Sequence, residues 1–504
     1  MASQGAVASP HHLATAAGEH ALAAGGSAVD AAIATAAVLA VVLPHQCGIG
    51  GDAVALTASP DGVITRHQGA GRAASEVDVD EVRRVGEGIM PLFGVHTVTV
   101  PGAVSTWAAM HDEGGRLPWA QLFEPAMALA TDGFAIGPGL HRAIAANLAR
   151  VDSDPGLRAL LLHEGASLPE GAWLRQPALA ETLTTIAAGG AHAYYRGSIA
   201  AGVVAHLHSL GSSLTVDDFA RHRCDTGAPL ESSWQDTRLW TAPPPSQGVV
   251  LFDILAAIAA LDGQPDLLGT DAGLLAEIFA SATLRRELLL ADPQHAAVDT
   301  DDWFDAPLPT VRGQRPDGDT VAVVAADAGG GFVSLIFSLF HSFGSGIADP
   351  VTGLVLHNRG AGFSLDPRSP NCLAPGKRPA HSLMPLLLGH GEKVFAAHGT
   401  MGGYGQPQIH AQLLLRIAAG EQPGPALAEP RWVVGRPDDN GPLRAYVERS
   451  VPVTARESIT ARGLPIHALP DLDAEVGHAQ LVRRTVGDGL VAASDPRAEG
   501  VRRE

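Results

Sequence analysis

The sequence has 504 residues, of which 46% are hydrophobic and 17% are charged, so the chain can bury a large core and is expected to be a soluble globular protein. Its 53 acidic residues outnumber 34 Lys and Arg residues, and the formal charge of −19 argues against nucleic acid or an anionic membrane as a partner. An odd number of widely spaced cysteines indicates a reduced compartment rather than a disulfide framework; they are Cys47, Cys224 and Cys372.

Helical patterns dominate the first half of the sequence. Apolar residues recur at helical spacing over residues 11–24, 28–43, 103–112, 119–132 and 140–151. The Ala-rich segment 28–43 contains Asp30 and is shorter than the ~20 residues of a membrane-spanning helix, so we interpret it as a buried helix. No stretch resembles a targeting signal, and the expected location is the cytoplasm unless an upstream segment is missing.

Strand patterns are sparse at first and dominate after Asp319. The early ones are AVALTAS and VITRHQ, and PPPSQGVVLFDILAAIAAL predicts a loop that leads into a buried helix. The later ones are VAVVAA, FVSLIFSL, LVLHN, LMPLLLG and KVFAAHG, followed by the helical IHAQLLLRIAAG and by strand patterns near 444–448 and 481–491. Helices followed by strands in one large unit predict an α+β architecture.

The run DTVAVVAAD places Thr320 at the first position of a predicted buried strand. A threonine hydroxyl is a weak nucleophile unless a base lies beside it, and a threonine at a newly cut chain terminus carries that base in its own α-amino group. The simpler interpretation is that Thr320 only begins a strand, where β-branched residues are common. The local sequence leaves both interpretations open.

Segments along nearly the whole chain resemble the γ-glutamyltranspeptidase family of N-terminal-nucleophile (Ntn) hydrolases. They include VASPHHLATAAGEHALAAGGSAVDAAI, TVPGAVSTWAAMHDEGG, PPPSQGVVLFDIL, FGSG, PGKRPAHSLMP, GTMGG and the terminal ASDPR. Each motif is weak, but their order and spacing together are specific. The resemblance implies a four-layer αββα sandwich, made as one precursor that cuts itself before the nucleophile. The implied cut is Asp319–Thr320, which gives a large subunit 1–319 and a small subunit 320–504 that form one folded unit.

The resemblance also implies the catalytic groups. Thr320 is the nucleophile, because Asp327 follows it by the seven residues typical of the family. Ser338 stands where the family has a second hydroxyl bonded to the nucleophile; an ordinary strand serine is the alternative. Gly402 and Gly403 of GTMGG resemble an oxyanion hole, where glycine lets backbone N–H groups approach a carbonyl oxygen. A simple turn is the alternative for this glycine pair.

The substrate-binding segments differ from those of glutathione-cleaving members. HNRGAGF replaces a segment like NNQxDDF, so that Arg359 stands at the glutamine position and a glycine at an acidic position. Phe340 stands at a strand asparagine, and His381 replaces the first of two carboxylate-binding serines, of which Ser382 is kept. The usual carboxylate-binding arginine is absent from its place, and Arg72 lies two residues further on.

A cation at position 359 would repel a substrate ammonium and favour an acyl group without an α-amine, with an acid or carbonyl at its far end. The motifs NRGxGFSLDP, SPNxLAPGKRP and GTMGGxGQPQ are most similar to the branch that contains oxamate amidohydrolase and the cephalosporin (glutaryl) acylases. We therefore predict an amidohydrolase for a small anionic acyl group, without metal or other cofactor. The predicted acyl-binding residues are Arg359, Arg72, His381 and Ser382.

Several alternatives stay open at this point. Arg359 is alternatively a structural ion-pair residue that faces away from the pocket. Gln406, Gln408 and His410 either line the site or cap the next helix. The enzyme is alternatively a γ-glutamyl hydrolase or transpeptidase, and a further alternative is a homologue that is not processed and only binds a ligand.

Overall fold

The computed structural model describes residues 5–298, 300, 303, 319–436, 441–485, 487 and 489–499. The strands in this part of the chain are β1 (Gly5–Ala8), β2 (Asp52–Ala58), β3 (Ile64–Gln68), β4 (Phe134–Ala135), β5 (Leu162–His163), β6 (Ala166–Ser167), β7 (Trp173–Leu174), β8 (Asp225–Gly227), β9 (Leu230–Trp234), β10 (Thr237–Thr241), β11 (Asp319–Asp327), β12 (Phe332–Phe340), β13 (Ile347–Ala348), β14 (Val355–Leu356), β15 (Leu386–His390), β16 (Lys393–Thr400), β17 (Trp432–Gly435), β18 (Arg444–Glu448), β19 (Ile466–Leu469), β20 (Ala479–Arg484) and β21 (Leu490–Ser494).

The α-helices lie mainly before β11. They are α1 (His12–Ala23), α2 (Ala28–Val42), α3 (Val79–Val85), α4 (Ala103–Gly114), α5 (Glu124–Asp132), α6 (Pro138–Ala146), α7 (Leu148–Ser153), α8 (Pro155–Leu161), α9 (Pro177–Arg196), α10 (Ser198–Ser209), α11 (Val216–Arg221), α12 (Gly248–Ala259), α13 (Ala272–Leu289), α14 (Gln406–Ala418), α15 (Pro423–Ala428) and α16 (Val453–Ala461). Within the described ranges, no helix is both long and apolar enough to cross a membrane.

Two six-stranded sheets form the centre of the described structure. The first has the order β1-β11-β12-β2-β3-β8 and the second the order β21-β20-β16-β15-β10-β9. All neighbouring strands in both sheets are antiparallel. Strands from before and after position 319 thus pair within one sheet, so the α+β architecture predicted from the sequence involves both halves of the chain.

The apolar clusters show what each face of the sheets contacts. Val323 of β11 packs with α1, α2 and α4, whereas its neighbour Val324 packs with Leu387 of the second sheet, because side chains alternate along a strand. Leu388 of the second sheet packs with α12, α13 and α14. By the same alternation, Thr320 lies on the face of β11 that is directed toward the second sheet.

Helix α2 confirms the interpretation of the Ala-rich segment as a buried helix. Every residue from Ala28 to Val42 is buried. Ser27 and Asp30 form a capping box at its start, in which Ser27 Oγ accepts from the N–H of Asp30 and the Asp30 carboxylate accepts from the N–H of Ser27.

Several predicted element boundaries were wrong. The strand β11 begins at Asp319, one residue before Thr320, because Asp319 already pairs with Phe340. The predicted helix 119–132 is a 3₁₀ turn followed by α5, and 140–151 is interrupted at Asn147 between α6 and α7. Of LVLHN only Val355–Leu356 is a strand. The predicted strand 481–491 consists of parts of β20 and β21, and its positions 486 and 488 lie outside the described residues.

Candidate active site

Thr320 lies at an irregular end of the first sheet. Asp319 is opposite Phe340, but the register shifts before Val321, which is opposite Phe337. At this β-bulge Thr320 is opposite two residues of β12, Ser338 and Leu339, and has no single partner in the ladder. The side chain of Thr320 is completely buried on the face directed toward the second sheet.

Three groups converge on the hydroxyl of Ser338. The Thr320 hydroxyl donates to Ser338 Oγ at 3.2 Å, and Ser338 Oγ donates to the carbonyl oxygen of Asp319 at 2.5 Å. The N–H of Phe340 donates to Ser338 Oγ at 2.6 Å and fixes its position. Ser338 therefore connects the Thr320 hydroxyl with the carbonyl group of the peptide bond that precedes Thr320. The catalytic roles of Thr320 and Ser338 stay predictions.

Asp52 is the cross-strand partner of Ser338 and accepts several hydrogen bonds. Its Oδ1 accepts from the N–H groups of Gly71 (3.2 Å) and Gly102 (3.0 Å), and its Oδ2 lies 3.1 Å from His381 Nε2. Burial by itself raises the pKa of Asp52, but the histidines His357 and His381 and, more weakly, Arg359 outweigh burial and lower this pKa to about 2. Asp52 is thus a buried carboxylate ion close to Ser338.

His381 is neutral at neutral pH. Burial and the nearby Arg359 lower its pKa to about 3, against the opposing effect of Asp52. Its Nδ1 accepts from the N–H of Leu383, which leaves the proton on Nε2 to be donated to Asp52. His381 therefore holds Asp52 in place without adding a charge to the site.

Arg359 carries a completely buried charge without a close carboxylate. Its Nη1 donates to Ser382 Oγ at 3.0 Å, and its guanidinium group lies 4.1 Å from the centre of the Phe340 ring. Its Nε and Nη2 have no hydrogen-bond partner among the described residues, and no carboxylate there lies within 4 Å. Burial lowers its pKa to about 10, so the group stays protonated at neutral pH. This geometry does not support the alternative that Arg359 is a structural ion-pair residue.

Gly402 and Gly403 form a turn directly after β16. Their φ angles of 137° and 50° lie in the region that favours glycine. In the described chain neither N–H group donates a hydrogen bond, so both are free to bind a carbonyl oxygen. Gln247 Nε2 donates to the carbonyl oxygens of Gly403 (2.8 Å) and Ser382 (2.7 Å) and ties this turn to the partner of Arg359.

Contacts between rings connect the segment of Ser338 with the glycine turn. The ring of Phe340, which follows Ser338 by two residues, lies 5.9 Å from the ring of Tyr404, next to Gly403. The structure thereby brings together six of the predicted site residues, namely Thr320, Ser338, Arg359, Ser382, Gly402 and Gly403. His381 joins them through Asp52.

Arg72 binds a different set of groups from the other predicted site residues. It donates to the carbonyl oxygen of Gly376 (2.9 Å) and to Gln294 Oε1 (2.8 Å), and it lies 3.6 Å from Asp292. Its side chain is 37% exposed, and none of these three partners is a predicted site residue. Its substrate-binding role stays a prediction.

Two other residues singled out in the sequence have structural contacts. Asp327, the spacing marker, accepts hydrogen bonds from the N–H groups of Ala28 and Gly331 and so ties β11 to the start of α2. Gln408 exchanges hydrogen bonds with the backbone of Val434, which favours a structural role over a place in the site.

Comparison with known proteins shows which family shares these features. The γ-glutamyltranspeptidase family profile matches residues 14–503. The chain belongs to the γ-glutamyltranspeptidase family. The glutathione hydrolase-like YwrD proenzyme of Bacillus subtilis is 34% identical over 98% of this chain and 97% of its own length. The oxamate amidohydrolase proenzyme of Klebsiella pneumoniae is 33% identical over 99% of this chain and 98% of its own length.

A solved structure agrees with the family assignment. The cephalosporin acylase of Bacillus halodurans superposes with a TM-score of 0.91 and 32% identity, covering 99% of this chain and 95% of that one. As a γ-glutamyltranspeptidase family member among hydrolases and acylases, the chain is an enzyme of the Ntn hydrolase type, and the resemblance seen in the sequence is confirmed.

Four polar side chains beside the predicted site residues were not predicted from the sequence: Asp52, His357, which lies 3.6 Å from Asp52, Gln247, and Arg286, which donates to Gln247. Asp52 ends the GIGGD segment at the start of a buried strand, and a charge at such a position is a signal that could have identified it. Gln247 lies in PPPSQG, which contributed to the family resemblance, but its contacts with Gly403 and Ser382 join residues more than 130 positions away. Sequence spacing gave no sign of these contacts.

Replacing Gly402 by alanine should lower kcat for amide hydrolysis about 100-fold, as loss of one oxyanion donor typically does. A Cβ atom there would lie 2.5 Å from Ile409 Cδ1, and φ of 137° is unfavourable for alanine, so the turn must move and displace its N–H groups. Steady-state kinetics of the folded and processed variant would measure this change in kcat.

The matched control is Gly420→Ala, at the end of α14. Gly420 also has a positive φ, 92°, but an added Cβ there meets nothing within 4 Å. The control should keep wild-type kcat. A Gly402→Ala enzyme with kcat within threefold of wild type would contradict the oxyanion assignment.

Proposed function

We propose that this protein is an amidohydrolase that cuts its own chain between Asp319 and Thr320 and then hydrolyses amides of small anionic acyl groups. The observation that carries the proposal is the hydrogen-bonded connection from the Thr320 hydroxyl through Ser338 to the Asp319 carbonyl oxygen. A hydroxyl beside the carbonyl of its own preceding peptide bond is the arrangement that self-cleavage requires.

Maturation begins when Thr320 Oγ1 attacks the carbonyl carbon of Asp319. The Ser338 hydroxyl, which donates to that carbonyl oxygen, stabilises the negative charge that forms there. The C–N bond breaks as the nitrogen of Thr320 takes up the proton, which leaves an ester between Asp319 and the threonine side chain. This step already frees the α-amino group of Thr320, and hydrolysis of the ester by water then releases the Asp319 carboxylate and restores the Thr320 hydroxyl.

Turnover uses the same hydroxyl with the new α-amino group as its base. The amine takes the proton from Oγ1, which attacks the substrate carbonyl, and the N–H groups of Gly402 and Gly403 hold the oxyanion. The proton passes to the leaving amine as the amide bond breaks. Water then attacks the acyl-enzyme and releases the acid.

Arg359 supports an anionic acyl group as the substrate. Its buried cation has free N–H groups and no carboxylate within 4 Å in the described chain, so a substrate anion would supply the missing partner. Ser382 lies beside it, and His381 is held as a neutral group. The names of two relatives, an oxamate amidohydrolase and a cephalosporin acylase, agree with amide substrates of this kind.

We also propose that the fold is the four-layer αββα sandwich of the Ntn hydrolases. The clusters that pack helices on the outer face of each sheet and the cluster that contains residues of both sheets support this layering. The subunits 1–319 and 320–504 would then stay joined, because β11 and β12 pair with β1 and β2 within one sheet. The cytoplasm stays the expected location.

A comparison of two chromogenic anilides tests the substrate assignment. Release of p-nitroaniline from glutaryl-p-nitroanilide should proceed with kcat/KM at least about 100-fold higher than from γ-glutamyl-p-nitroanilide. The difference arises because the α-ammonium group would be placed near the buried charge of Arg359 at a cost of several kcal/mol.

A γ-glutamyl hydrolase or transpeptidase is the second candidate, favoured by the relative named a glutathione hydrolase-like proenzyme. It predicts the reverse preference between the two anilides. A protein that stays intact and hydrolyses neither anilide would instead support the homologue that only binds a ligand.

A further inference from the structure

A second buried arginine lies beside the glycine turn. Arg286, on α13, is only 4% exposed. Its Nε donates to Gln247 Oε1 at 2.7 Å, and its guanidinium group lies 3.7 Å from the centre of the Tyr404 ring. Its Nη2 is buried without a hydrogen-bond partner in the described part of the chain.

Arg286 and Arg359 are connected to the same pair of aromatic rings. Arg359 lies on Phe340, Phe340 contacts Tyr404 edge to face at 5.9 Å, and Arg286 lies on Tyr404. Gln247 joins the two arginines by a second route, because it accepts from Arg286 and donates to the carbonyl oxygen of Ser382, the residue whose hydroxyl accepts from Arg359. Both cations are therefore next to the Ser382 segment and the glycine turn.

The protein itself supplies little negative charge at these two cations. Asp52 is the carboxylate whose charge opposes the burial that lowers the pKa of Arg359, but it already accepts hydrogen bonds from His381 and two backbone N–H groups. Glu287, whose charge opposes the burial that lowers the pKa of Arg286, lies 3.6 Å from another arginine, Arg436. No carboxylate of the described chain lies within 4 Å of Arg286 or Arg359. Two buried guanidinium groups with unused donors are costly unless an anion binds them.

We propose that Arg286 is a second substrate-binding residue, which together with Arg359 holds a full carboxylate at the far end of the acyl group. This inference rests on the proposed function and narrows it, because a carbonyl or amide oxygen carries no charge to compensate two cations. The two oxygens of a carboxylate accept from several N–H groups at once and match the free donors of both arginines. The substrate class is then the monoamide of a dicarboxylic acid.

The kinetic test uses Arg286→Gln with two anilides that differ only by the terminal carboxyl group, glutaryl-p-nitroanilide and the uncharged butyryl-p-nitroanilide. We expect kcat/KM for the glutaryl compound to fall at least about 30-fold and that for the butyryl compound to change less than threefold. The matched control is Arg285→Gln, since Arg285 is the neighbour on α13 but binds Asp253 at 2.9 Å. The control should leave the ratio of the two kcat/KM values unchanged.

An equal loss on both anilides would overturn the inference. It would mean that Arg286 only positions Gln247 and, through it, the glycine turn. Gln247→Leu provides the comparison for that case, because it removes the hydrogen bonds to Gly403 and Ser382 and should reduce hydrolysis of both anilides alike.

A binding measurement separates this inference from the proposed function. Glutarate should raise the melting temperature of the wild-type protein more than the uncharged butyramide at equal concentration, and Arg286→Gln should lose that difference while Arg285→Gln keeps it. If the wild type hydrolyses neither anilide but shows this pattern, the proposed function fails and the carboxylate site remains. If glutarate and butyramide act alike on the wild type, the carboxylate site is wrong.

Discussion

A Thr320→Ala variant is expected to lose amide hydrolysis, with kcat at least about 10⁴-fold below that of the wild type, as in other enzymes whose covalent nucleophile is removed. The variant keeps the free donors of the glycine turn and the buried arginines, but it has no hydroxyl to form the acyl-enzyme. The nearby hydroxyl of Ser338 does not replace it, because Ser338 lies within the chain and has no free α-amino group to act as its base. Initial rates with glutaryl-p-nitroanilide measure the loss.

Thr320→Ser is the matched control, because serine keeps the hydroxyl and the potential α-amino group and loses only a methyl group. It should be processed and retain measurable turnover. The nucleophile assignment would be refuted by an alanine variant that hydrolyses the anilide within tenfold of the wild-type rate.

Replacing Arg359 by glutamine should lower kcat/KM for glutaryl-p-nitroanilide about 100-fold, mainly through a higher KM. The estimate follows from the 2–5 kcal/mol that truncation of one partner of a buried charge pair typically costs. Glutamine can still bond to Ser382 but carries no charge, so hydrolysis of butyryl-p-nitroanilide should be nearly unchanged. Steady-state kinetics with both anilides provide the test.

Arg368→Gln is the control for removing a positive charge from this part of the chain. Arg368 is exposed and pairs with Asp366, so its loss should affect neither anilide. An Arg359→Gln enzyme with an unchanged KM for the glutaryl compound would show that Arg359 does not bind the acyl anion.

The sequence predicted those parts of the fold and site that depend on local pattern and on the order of motifs. The apolar, β-branched run VAVVAAD and the apolar run FVSLIFSLF predicted β11 and β12, and the Ala-rich composition of 28–43 predicted α2. The family resemblance implied that the hydroxyls of Thr320 and Ser338 meet, and they lie 3.2 Å apart. Motif order identified the family, which the comparisons confirm.

The rest depends on contacts between distant segments. Position 359 could be recognised as a departure from the family pattern, but its lack of a carboxylate neighbour is a property of the folded surroundings. Arg286 on α13 and Gln247 directly before α12 reach the site from two separate segments, and no local pattern distinguishes them from other residues of these segments. The break between α6 and α7 at Asn147 was missed because apolar spacing continues across it.

The mass spectrum of the purified, denatured wild-type protein tests whether the chain cuts itself before Thr320. We expect two fragments, 1–319 and 320–504, the smaller with Thr320 as its first residue, and a single uncut chain for Thr320→Ala prepared in parallel. A wild-type protein that remains one chain of 504 residues after prolonged incubation, or one cut at another bond, would contradict the proposal that Thr320 becomes an N-terminal nucleophile.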